Sequence, residues 1–215
     1  MGATFEAIPT SPDVPIPAGT YPDVEALVPH CQRCQRCRLG ATRTHAAVHR
    51  GNPTARLMLI GEGPGELEDR QGRPFVGPAG QLLDRILAAV DLDPARDVFI
   101  CNVVKCRPPG NRVPEPDEVA ACLPYLEEQI RLVDPAVFVF LGATALRACT
   151  GEARGITRLR GQWLTHRGRP AMAVFHPSYL LRNPARTPGS PKWLMWQDIR
   201  AVRAQLDALA AQPDR

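Results

Sequence analysis

Four short, almost continuous apolar runs stand out along the chain: ARLMLIGEG (55–63), DVFICNVV (97–104), PAVFVFLG (135–142) and AMAVFHPS (171–178). Runs of this length without alternation predict strands buried on both faces. The stretches between them change period. In PAGQLLDRILAAVDL, Leu82, Leu83, Ile86, Leu87 and Val90 recur at helical spacing behind Pro78, a good first-turn residue. PDEVAACLPYLEEQIRLV reads as a second helix, with Asp117 and Glu118 favourable near its positive end. ATALRACTG predicts a short helix, and WLMWQDIRAVRAQLDALAAQ a long amphipathic one. Strands alternating with helices predict an α/β fold: a single three-layer α/β/α domain over 23–211, around a mostly parallel four-stranded sheet. Residues 1–22, MGATFEAIPTSPDVPIPAGTYP, are broken by prolines and lack periodicity, which predicts a flexible tail. Ligands of such sheets bind beyond the carboxyl ends of the strands. That rule directs attention to GEGPG after the first strand, Asn102 at the end of the second and His176 after the last.

Composition narrows the class further. A chain of 215 residues can bury one substantial core, and 44% apolar with 22% charged residues is ordinary for a globular protein. The 23 prolines stiffen the loops. A formal charge of +4 suits a polyanionic partner without requiring one. No apolar run approaches the roughly 18 residues of a membrane span. The N-terminus lacks a basic-then-apolar leader, so a cytoplasmic location with reduced thiols is expected. Seven cysteines in that setting point to metal or catalysis rather than disulfides.

Three of them crowd into CQRCQRC (31–37). A C-x2-C pair combined with Cys106 in KCRPP and Cys122 sixteen residues later makes four thiolates. Such a set suits an iron–sulfur cluster or a structural zinc alike. Spacing also leaves the pair open between Cys31/Cys34 and Cys34/Cys37. Cys101, inside an apolar strand, and Cys149, in a short helix, read as small core residues.

The segment GEGPGELEDRQGRPFVGPAG is rich in chemistry. Its glycines allow main-chain N–H groups to approach a ligand, yet no Gly-Lys-Ser/Thr follows, so it is not a phosphate-cradling loop. Glu62 follows a buried strand directly, where an idle charge would be costly. Glu66, Glu68 and Asp69 add carboxylates, of which Glu66 reads as a solvated charge. Phe75 fits either a core plug or a stacking platform for a planar ligand. The carboxamide of Asn102 offers a donor and an acceptor side by side, matching a nucleobase edge. His176 fits a helix start, or a donor to a leaving group that gains negative charge.

GEGPGELEDRQGRPFVGPAGQLL, NVVKCRPPGNR and HPSYLLRNP resemble the signature segments of family 4, iron–sulfur, uracil-DNA glycosylases. The likeness runs from about Cys34 to about residue 205. It implies a base-excision DNA repair hydrolase that flips uracil out of single- or double-stranded DNA and cuts its N-glycosidic bond. It implies a 4Fe-4S cluster on Cys34, Cys37, Cys106 and Cys122, with Cys31 an extra thiol outside the family pattern. Phe75 would stack on the base, Asn102 would bind its edge, and main chain near Glu62 and Gly63 would shape the pocket. His176 would stabilise charge on uracil O2. Glu62 would steady the oxocarbenium-like sugar and the attacking water. Other superfamily branches carry an aspartate where this chain has Gly63, so Glu68 or Asp69 is expected to share that task. Glu68 is also expected to crowd uracil C5 and exclude thymine. Leu181 and Arg182 would press into the gap left by the base, with Arg186 and Lys192 on phosphates. A neighbouring branch traps DNA covalently through a histidine in the loop after the second strand. CRPPGNRVPEPDE has none, so turnover by a monomer is expected. The competing readings are a redox protein built on the cluster, and a DNA-binding module without base release.

Overall fold

The computed structural model describes residue 12 and residues 14–211. Its strands are β1 (Arg50–Gly51), β2 (Leu57–Gly61), β3 (Val98–Asn102), β4 (Val137–Leu141), β5 (Trp163–His166) and β6 (Arg169–Val174). They form one sheet in the order β1-β3-β2-β4-β6-β5. The inner four, β3, β2, β4 and β6, run parallel, and correspond to the four apolar runs. β1 and β5 pair antiparallel at the two edges. The four-stranded expectation is therefore corrected to six. The physical reason lies at the edges: β1 has two residues and no apolar run, and β5 is largely solvent-facing. β5 exists because Arg167 and Gly168, both at positive φ (52° and 75°), close a tight hairpin onto β6.

Every residue of β2, β3 and β4 is buried, which the helices on both faces explain. The helices are α1 (Val24–Arg33), α2 (Glu66–Gln71), α3 (Pro78–Ala88), α4 (Pro116–Val133), α5 (Ala143–Thr150), α6 (Ile156–Leu159), α7 (Pro177–Arg182) and α8 (Pro191–Ala210). Alternate residues of one strand serve opposite faces. Met58 and Ile60 pack with Leu126 and Ile130 of α4 and Leu146 of α5. Leu57 and Leu59 pack with Leu83 and Leu87 of α3 and Ile199 and Val202 of α8. The three-layer expectation thus describes the molecule.

Chain order fixes where the site must lie. From β2 the chain crosses to β3 on one side, then returns to β4 and continues to β6 on the other. Beyond the carboxyl ends of β2 and β4 the connections part, leaving the crevice typical of doubly wound sheets.

Most of the expected tail, residues 1–11 and 13, lies outside the described residues. Its last part is packed. Tyr21 is 1% exposed, and the Gly19 and Tyr21 N–H groups both donate to Glu128 on α4. Arg36 donates to the carbonyls of Val14 and Pro12. Among the described residues no helix is long and apolar enough to cross a membrane.

Candidate active site

A cleft of about 300 Å³ opens at that crevice. Glu62 and Gly63 reach it from the end of β2, Asn102 from β3, and His176 and Ser178 from the start of α7. Glu68 and Phe75 come from the loop region between β2 and α3, Arg182 from the end of α7. Segments more than a hundred residues apart therefore meet at one rim.

Asn102 is 1% exposed, yet among the described residues neither its Oδ1 nor its Nδ2 has a partner. An unpaired buried amide costs on the order of 1–3 kcal/mol, so its place on the cleft wall marks it for a ligand. Phe75 stands beside it with φ 55°, a left-handed conformation unusual for a bulky residue. Two glycines make this arrangement feasible. A Cβ on Gly61 would lie 2.4 Å from Asn102 Oδ1 and 2.5 Å from Phe75 Cζ; one on Gly80 would lie 1.7 Å from the Phe75 carbonyl oxygen.

His176 caps α7: the Ser178 N–H donates to its Nδ1 at 3.2 Å, and the Ser178 hydroxyl lies 2.8 Å away. Accepting there leaves the ring proton on Nε2, the opposite edge. Burial, reinforced by the Arg182 charge, pushes the imidazole down to about 4, so it is neutral near pH 7. Its ring centroid lies 5.7 Å from that of Phe75.

Glu62 is held by the Thr144 hydroxyl, which donates to its Oε2. Thr144 opens α5 just beyond β4, and sequence reasoning passed over it. The rule that singled out the turns after the other inner strands applies equally to LGAT. Pro108, Asn111 and Arg112 from the CRPPGNR loop also line the cleft without having been singled out.

The other two candidate carboxylates hold the loop together. Glu68 lines the cleft, but its Oε1 accepts the Gly77 N–H at 2.8 Å. Asp69 is not among the lining residues; its Oδ1 accepts the Thr44 N–H at 2.9 Å. This geometry argues against Asp69 as a water activator. Leu181 is 41% exposed beside the cleft mouth, whereas Arg186 and Lys192 lie outside the cleft, along a neighbouring groove.

The cysteines gather on the α4 side of the sheet. Cys106 feels the charge of Cys122 and of Cys37, and Cys34 acts on both Cys37 and Cys122. Burial pushes the Cys106 thiol up to about 12 and that of Cys122 to about 11. Thiolates so placed need positive charge. Lys105, itself 1% exposed, supplies one between them and the cleft; its Nζ donates to the Asn102 carbonyl and to Gln129 Oε1, both at 2.5 Å. Donors also reach the sulfurs: Lys105 N–H to Cys122 at 3.3 Å, Arg36 N–H to Cys34 at 3.5 Å, and Arg43 to Cys106 at 3.6 Å. Among the described residues no group of three or more His, Cys, Asp or Glu side chains is arranged to hold a metal ion. In their chemistry, several thiols with N–H donors and a buried cation beside them fit a thiolate-ligated metal group. Cys31 faces the same group but is fully buried among Tyr21, Leu27 and Tyr125.

Fold, rim and paired side chains define a class. The chain belongs to the uracil DNA glycosylase superfamily, whose sequence pattern matches residues 48–200. It is 48% identical to a type-4 uracil-DNA glycosylase of Thermotoga maritima over 164 residues, covering 74% of this chain and 84% of the relative. It is 40% identical to that of Sulfurisphaera tokodaii over 189 residues, covering 85% and 82%. A type-5 uracil-DNA glycosylase of Pyrobaculum aerophilum is 30% identical over 200 residues, covering 79% and 88%.

Proposed function

We propose that the protein excises uracil from DNA, leaving an abasic site. The observation that carries this reading is the buried, unpaired carboxamide of Asn102 in a cleft it shares with Glu62 and His176. Uracil presents N3–H and O4 side by side, the complement of an amide's oxygen and nitrogen. The extruded base slides against Phe75, whose constrained backbone holds the ring ready for stacking. His176 then donates its Nε2–H to uracil O2. A neutral imidazole suits this role, because the base departs as an anion and needs a hydrogen bond rather than a full proton. As the N1–C1′ bond breaks, its electron pair leaves with uracil and the sugar becomes oxocarbenium-like. Glu62, fixed by Thr144, offsets that charge and orients water. The water oxygen bonds to C1′ and its proton passes to Glu62. Glu68 acts by anchoring the Gly77 turn, and so the wall on which Phe75 sits.

Cys34, Cys37, Cys106 and Cys122 are the thiolates we assign to a 4Fe-4S cluster, which when bound supplies a covalent brace between α1, the loop after β3 and α4. Cys106 stands four residues beyond Asn102, so this brace also steadies the cleft. Arg182 and Leu181 flank the mouth, where a DNA strand would enter. A cytoplasmic monomer acting on DNA completes the reading. The test incubates the protein with a uracil-containing oligonucleotide and then cleaves abasic sites with alkali. Strand scission at the uracil is expected, and an intact strand overturns the proposal. Absorbance near 400 nm, roughly, in the purified protein would identify iron–sulfur.

A further inference from the structure

A second concavity, of about 460 Å³, lies next to the cleft. Two indoles line it: Trp193 and Trp196, 36% and 38% exposed and one turn apart on α8. Scattered apolar residues on a surface need no explanation, but two tryptophans on one helix face in one groove do. The groove is also cationic. Arg85, Arg186 and Lys192 line it, and among the described residues none of them is in an ion pair. Arg200 stacks over Trp196, 5.7 Å from its centroid. No carboxylate is part of the lining.

The groove is continuous with the cleft through two helices. α3 starts at the cleft with Ala79, and its later turns present Arg85 to the groove. α7 gives Ser178 and Arg182 to the cleft and Leu180 to the groove. At six residues α7 is only about 9 Å long, a short span for a nucleic acid strand. Unpaired cations with exposed aromatic faces are the combination that holds single-stranded nucleic acid, with phosphates on the charges and bases on the rings. Bases in a duplex are stacked on each other and cannot use such rings.

We propose that the groove is a second nucleic-acid site, which takes unpaired nucleotides of the strand that feeds the cleft, their bases on Trp193 and Trp196 and their phosphates on Arg85, Arg186 and Lys192. The origin of that strand rests on the uracil-excision reading; binding in the groove does not. The experiment therefore starts with the full chain and a uracil-free oligothymidylate of about 20 nucleotides. Indole emission should fall on binding, with Trp163, on edge strand β5 and outside the groove lining, as background. The W193A/W196A variant should bind this strand about 10- to 100-fold more weakly, since each stacked base contributes on the order of a factor of ten. On a substrate with uracil in a single strand, its KM should rise by the same factor with kcat unchanged, and release from a fully paired duplex should be unaltered. Charge reversal in R186E/K192E keeps the indoles and should weaken oligothymidylate binding at least as much. If either variant binds oligothymidylate like the parent, the proposal is overturned. Emission that ignores oligothymidylate but falls with an acidic, tyrosine-bearing peptide also overturns it, making the groove a protein site. Weakened binding in a protein that releases no uracil leaves the groove standing and removes only the excision reading.

Discussion

His176 shows how one side chain's surroundings set its chemistry. Burial first, then the Arg182 charge, lower its pKa to about 4 from an ordinary 6.5. The folded state thus disfavours the proton, so this residue's contribution to stability is full above pH 6.5 and is lost as pH falls through 4. His176→Asn should flatten the melting temperature of the protein between those limits and lower uracil release at neutral pH. A parent protein whose melting is flat over the same window would contradict the assignment. Thr144→Val removes the hydroxyl that fixes Glu62. We expect kcat to fall about 10-fold with KM little changed, and Thr144→Ser to restore it. Gly61→Ala places a methyl against Phe75 and Asn102 at once. Displacement of both groups should cost about 100-fold in uracil release while circular dichroism stays that of the parent. Phe75, Asn102 and His176 were legible in the sequence because each is an unusual residue type at a strand end or glycine turn. Thr144 was not: a lone hydroxyl at a helix start carries no pattern until the helix is placed beside Glu62.

Elements were legible in proportion to their burial. The inner strands and α4 stand where the apolar runs and helical period put them, because two-sided burial demands an unbroken pattern. β1 and β5 were invisible because an edge strand is held by main-chain pairing, which any sequence can supply. The start of α4 shows why local patterns fell short elsewhere. Asp117 and Glu118 were both read as favourable to the helix dipole, yet their roles differ. Glu118 is fully buried; it accepts from Arg112 and Arg38 and closes a capping box on the Glu115 N–H. Asp117 makes an exposed ion pair with Arg38, at 3.5 Å. Hydrogen bonding by Arg112 leads in holding the Glu118 carboxyl down to about 2. Its stabilisation is present above the ordinary 4.5 and is lost as pH falls through 2, a window that lies mostly below that of His176 and meets it only between about 4 and 4.5. Glu118→Gln leaves two guanidinium groups with a neutral partner. It should lower stability in urea unfolding and, because Arg112 lines the cleft, raise KM for DNA as well.

At the scale of the whole molecule, the cleft and the cysteine group are two ends of one device. The segment from Asn102 to Cys106 leaves the sheet rim, passes the buried Lys105 and ends at a thiol beside α4. Lys105 donates to the Asn102 carbonyl, so the cation beside the sulfurs also fixes the main chain of the residue we assign to the base. On our assignment of four thiolates to a cluster, a chain without it would keep the α3/α8 face of its sheet, which the cysteines do not touch, but would lose the anchor of this segment. Two consequences separate this from a cluster that only stabilises. Cys122→Ser should abolish absorbance near 400 nm, roughly, and lower the melting temperature by about 10 °C, since bound metal contributes directly to folding. It should also reduce uracil release far more than the residual folded fraction accounts for, measured at a temperature where the variant remains folded. Cys31→Ser should keep both colour and activity, because on our assignment Cys31, packed among Tyr21, Leu27 and Tyr125, is not a ligand. Activity in Cys122→Ser proportional to folded protein would mean the rim holds Asn102 unaided, and colour lost in Cys31→Ser would move the ligand set one step toward the N-terminus.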